Sequence, residues 1–137
     1  MTKIYEMVKQ SLMDGLRNAN YDATRFHPDL VKVGLFSDRT EVLAAESSCR
    51  TFYHSIRMRL EKGETFTRNE LINEVELKAT EGVFTYATSA IQILPSAGKN
   101  ISKYINEAHE AVNKMVKLGH PNAKIYDDIL RKLILEK

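Results

Sequence analysis

The chain has 137 residues, one cysteine, 28% charged side chains and a formal net charge of +2. That length buries a core without disulfide or metal staples, and a single cysteine excludes an intrachain disulfide. The near-balanced charge argues against a dedicated nucleic-acid binder, which carries a clear basic excess or a basic arm. Glu6 and Lys9 interrupt any apolar signal segment near the start. With the lone cysteine, this leads to the expectation of a cytoplasmic protein.

Ile4, Val8, Leu12, Leu16 and Ala19 recur at helical spacing and predict a helix over about 3–19, ending at Asn18-Ala-Asn20. A polar connection follows. Pro28 suits a first helical position and Gly34 the residue after a last turn, so a short helix is expected near 28–34. Alternation at Val31, Val33 and Leu35 also suits a strand, but a lone strand has no partner.

Asp38 with Glu41 three residues on opens a helix over 38–62. Val42, Ala45, Cys49, Phe52, Ile56 and Leu60 form its apolar stripe, widened by Tyr53, and Gly63 ends it. Thr67 and Glu70 form a capping box, with Phe66 and Leu71 in the staple positions. The helix they start runs to about 94, where Pro95 stops it.

Gly82 to Gly98 carries no charged side chain, although at 28% density such a run should hold about five. Charges are costly to bury, so the gap marks enclosed backbone. The 67–94 helix shows two apolar stripes. The main one is Leu71, Val75, Ala79, Gly82, Val83, Tyr86, Ala90 and Ile93; a second ridge is Leu77, Phe84 and Ile91. A helix apolar on two sides is buried on both, so the ridge meets either the rest of the chain or a partner.

Residues 100–118 are amphipathic through Ile101, Tyr104, Ile105, Ala108, Val112 and Met115. After Gly119-His-Pro121, a last helix over 122–135 presents Ile125, Ile129 and Leu133, with Leu130 and Ile134 widening the arc. The fold expected is all-α, one domain over 1–137. It is a bundle of four main helices (3–19, 38–62, 67–94, 100–118), with a C-terminal helix and a short one near 28–34.

No catalytic, metal or nucleotide motif emerges, and no cofactor is expected. No histidine has a glutamate three positions before it, as di-iron bundles require. Cys49 lies on an apolar face and reads as a small buried hydrophobe. Arg50, His54 and Arg57 share one helical stripe that could hold an anion, a nucleotide or nucleic-acid backbone; the plainer reading pairs the arginines with Glu46 or Glu61. A magnesium-dependent nucleotide hydrolase would need carboxylates such as Glu70, Glu74 and Glu81 to converge. Lys114, Lys117, His120 and Lys124 read as helix-end cations in water. The leading expectation is a small non-enzymatic binding or regulatory protein, an inhibitor or adaptor. It would act through protein contacts, as a homodimer or with another protein, with Leu77, Phe84 and Ile91 as the interface.

Overall fold

A computed structural model describes residues 3–27, 39–93 and 101–135. Among these the chain is all-α and has no strand. Its helices are α1 (Lys3–Asn18), α2 (Arg39–Glu61), α3 (Arg68–Ile93), α4 (Ile101–Leu118) and α5 (Ala123–Leu135). The expected helical bundle with a C-terminal helix is present, and every helix end falls within about a residue of its sequence-based position. The short helix expected near 28–34 and the turn at Pro95–Gly98 lie outside the described residues.

The helix ends are set by local chemistry. The Glu64 N–H donates to the Arg59 carbonyl at 3.0 Å, and the Gly63 N–H to the Leu60 carbonyl at 3.0 Å, with Gly63 at φ 90°. This left-handed reversal satisfies two carbonyls that the end of α2 would leave open. The same pair of bonds closes α4, from His120 to Met115 at 2.9 Å and from Gly119 to Val116 at 3.1 Å. α1 closes likewise through Tyr21 to Leu16 at 2.8 Å and Asn20 to Arg17 at 3.0 Å, although neither residue is glycine. Asn20 and Tyr21 sit at φ 53° and 57°, and the Arg68 guanidinium lies 4.2 Å from the Tyr21 ring centroid. At the start of α3 the capping box is complete. The Glu70 N–H donates to Thr67 Oγ1 at 3.1 Å, and the Thr67 N–H to Glu70 Oε1 at 3.0 Å.

The chain divides into two compact units, residues 1–82 and 83–137, and the division falls inside α3. In the first unit α1 packs on α2. Ile4, Val8, Leu12 and Leu16 from α1 are buried, as are Ala45, Cys49, Phe52 and Ile56 from α2 and Leu71, Val75 and Ala79 from α3. Each of the larger side chains contributes roughly 1.5–3 kcal/mol by leaving water. Phe26, 1% exposed, anchors the segment after α1 by meeting the Phe52 ring edge-on at 5.6 Å. Gly82 marks a close approach: a Cβ there would stand 2.8 Å from Ser48 Oγ and 3.6 Å from Ile4 Cγ2. Lys9 pairs with Glu76 at 3.4 Å, and Arg59 with Glu74 at 3.1 Å.

In the second unit the buried face of α3 is different. Val83, Phe84, Ala87 and Ile91 are buried there, whereas Tyr86 and Ala90 are half-buried and Ile93 is 76% exposed. At 100° per residue the buried face turns by roughly a third of the circumference between the Leu71–Ala79 segment and the Val83–Ile91 segment. The main stripe expected from the sequence therefore holds to Val83 and fails beyond it.

α4 contributes Ala108, Ala111, Val112 and Met115 to this core, and α5 contributes Ala123, Leu130 and Leu133. Ile125 and Ile129, expected to face inward, are 57% and 47% exposed. The apolar arc of α5 spans about half the helix circumference, and the core takes the Leu130–Leu133 side, which leaves the Ile125–Ile129 edge outside.

Candidate functional site

The anion stripe expected on α2 is present, and it gains members from outside its own pattern. Arg50 and His54 are exposed and Arg57 is half-buried. Arg50 meets Glu46 at 3.8 Å, a long contact with the arginine side chain 69% exposed; pairs of this kind contribute little. Arg57 makes no ion pair among the described residues. Its guanidinium lies 5.2 Å from the Tyr53 ring centroid instead, a favourable cation–π arrangement.

Tyr53 is the centre of the group. The His27 ring stacks on it at 5.6 Å with an interplanar angle of 26°, and the His54 ring meets it edge-on at 5.9 Å. His27 comes from the segment after α1, held in place because its neighbour Phe26 is buried against Phe52 and Tyr53. The structure thus collects Arg50, Tyr53, His54, Arg57 and His27 on one surface of the first unit. Tyr53 lies three residues after Arg50 and four before Arg57, so helical spacing could have included it. Nothing in the local pattern pointed to His27.

The second expected site is corrected by the structure. Leu77, Phe84 and Ile91 are 9%, 3% and 1% exposed in the single chain. The ridge expected to meet a partner is covered by the chain itself, and the Phe84 ring packs edge-on against Tyr126 of α5 at 4.9 Å. Two stripes on one helix signalled burial on two sides; the ridge is buried along its length, and the main stripe only as far as Val83. Exposed apolar side chains lie elsewhere: Leu43, Met58, Ile93, Val116 and Leu135 are scattered, and Ile125 and Ile129 stand one turn apart on α5.

Glu70, Glu74 and Glu81, considered for a metal, are engaged in other bonds. Glu70 completes the cap, Glu74 pairs with Arg59 and Glu81 with Lys78 at 2.7 Å. Among the described residues no three His, Cys, Asp or Glu side chains converge as metal ligands. Cys49 is buried, and burial, reinforced by the Glu46 charge, pushes its thiol up to about 12. A thiol so held is a poor nucleophile.

His120, grouped from the sequence with solvated cations, is 8% exposed. Its Nδ1 accepts the Asn122 N–H at 2.9 Å, and its ring meets Tyr126 edge-on at 5.5 Å. It helps hold the reversal into α5, a role decided by the turn geometry. No described helix is long and apolar enough to cross a membrane. No protein-family model, curated protein or solved structure matches the chain.

Proposed function

We propose that this chain is a non-enzymatic helical binding protein that works through protein contacts, with a second copy of itself as the partner and α5 as the contact helix. The observation carrying this reading is the Ile125–Ile129 edge, 57% and 47% exposed and one turn apart on a helix whose Ala123, Leu130 and Leu133 are in the core. Lys124, Asp128 and Lys132 surround the edge and are exposed. A twofold contact must complement itself, and a patch bearing both charge signs around an apolar centre meets that requirement.

The magnitude sets the kind of dimer. Burying the exposed half of each isoleucine contributes about 1 kcal/mol, so two copies gain roughly 4 kcal/mol from these side chains. Association costs at least that much in lost freedom. The dimer is therefore weak and concentration-dependent, held together with the help of the polar rim. Light scattering and sedimentation across a concentration series test this. The expected result is a mass rising toward twice that of the chain, and a monomer throughout for the Ile125→Glu/Ile129→Glu variant. A monomer at every concentration for the unmodified protein overturns the reading.

A further inference from the structure

We infer that the surface centred on Tyr53 is a binding site for an extended phosphate-bearing ligand, the polyphosphate of a nucleotide or the backbone of a single nucleic-acid strand. The inference is independent of the α5 contact. Three observations carry it.

The first is spacing. Arg50, His54 and Arg57 lie along one side of α2 and span about 10 Å of helix axis. That length suits successive phosphates better than one isolated ion.

The second is availability. Arg57 is held over the Tyr53 ring with no carboxylate partner among the described residues, and Arg50 has only the long contact to Glu46. A guanidinium placed by stacking keeps its planar fork of N–H donors for an incoming oxygen pair. The acidic groups nearest in the helical pattern are Glu46 and the exposed Glu61, one turn beyond Arg57. Neither faces Arg57 in an ion pair.

The third is convergence. His27 is distant in sequence, yet it stacks on the same ring that carries Arg57 and touches His54. Each imidazole ring carries at least one N–H donor. Three nitrogen-bearing side chains thus meet one aromatic ring, and Arg50 lies one turn before it on the same side of α2. Phosphate oxygens are the acceptors that match such a set: charge-assisted bonds from the arginines, and further N–H bonds from the histidines.

The test uses the full chain and two probes, inorganic triphosphate and a fluorescent oligothymidylate, titrated at low and at physiological ionic strength. Binding of at least one probe, weakened by salt, is expected. Triphosphate alone assigns the site to a nucleotide-like ligand; the oligonucleotide alone assigns it to a strand. Arg50→Glu/Arg57→Glu should weaken binding about tenfold or more, the effect of losing one or two charge-assisted bonds. His27→Ala, at an exposed position, should weaken it less. Circular dichroism confirms that each variant is folded. Arg131→Glu, in the second unit, is the control for diffuse attraction and should leave binding unchanged. The proposal is overturned if neither probe binds at low salt. It is equally overturned if the double variant binds as well as the unmodified protein, or if Arg131→Glu weakens binding as much.

Discussion

Replacing Gly82 by alanine sets two effects of similar size against each other. Glycine inside a helix costs about 1 kcal/mol relative to alanine, so propensity alone makes Gly82→Ala stabilising. The new Cβ would stand 2.8 Å from Ser48 Oγ, inside any ordinary contact, while Ser48 Cβ and Ile4 Cγ2 at 3.6 Å are tolerable. The obstacle is thus one hydroxyl at the end of a short, rotatable side chain. Turning it away costs about 0.5–1.5 kcal/mol. The two terms nearly cancel, and Gly82→Ala is expected to lie within about 0.5 kcal/mol of the unmodified protein. Removing the hydroxyl first separates them. On a Ser48→Ala background the same change should stabilise by about 1 kcal/mol, a coupling of the size seen between touching residues. Gly82→Ile, which cannot be relieved by one rotation, should cost about 1–3 kcal/mol or more through overpacking. Urea unfolding followed by far-ultraviolet circular dichroism measures all four variants. Gly82→Ala stabilising by the full propensity term, with no coupling to Ser48, would refute the close approach of α2 and α3.

Three further outcomes follow from single groups. Thr67→Ala removes the acceptor for the Glu70 amide and should cost about 1 kcal/mol in the same unfolding assay. The reciprocal bond is pH-dependent: the Thr67 amide and hydroxyl hold the Glu70 carboxyl below its ordinary value of 4.5. A carboxyl lowered by folding adds stability above its unfolded value, and the addition is lost as pH falls through the folded one. The unmodified protein and Glu70→Gln should therefore converge in stability in acid below that value; a gap unchanged by acid would show that the bond is absent. Cys49, buried and with its thiol pushed up to about 12, should react with an aromatic disulfide reagent only after unfolding. Rapid labelling of the folded protein at neutral pH would mean that the buried face of α2 has been misassigned.

Much of the fold was legible because helix ends are local events. The Thr67–Glu70 box, the reversals at Gly63 and Gly119 and the stop after Asn18 each depend on a few neighbouring residues, and each is present. The stripes of α1 and α2 were legible for a related reason. Each has one apolar face, so periodicity leaves one orientation. α3 and α5 have apolar arcs wider than a single face. Periodicity then sets the candidates but not the choice, which is why Ile93, Ile125 and Ile129 were placed inside and are exposed.

The site divides in the same way. Arg50, His54 and Arg57 were readable as a stripe because residues three and four apart share a helix face. His27 was not, because its place beside Tyr53 depends on where Phe26 is buried, a contact between distant parts of the chain. By itself, then, the sequence determined the helices, their caps and the one-sided faces, all fixed by interactions within a few turns. Only the tertiary structure decided that Leu77, Phe84 and Ile91 are core and that α5 leaves an isoleucine edge outside. It also brought His27 to the cationic stripe as a fourth donor. Those outcomes rest on competition for burial among segments far apart in the chain, and local spacing carries no record of that competition.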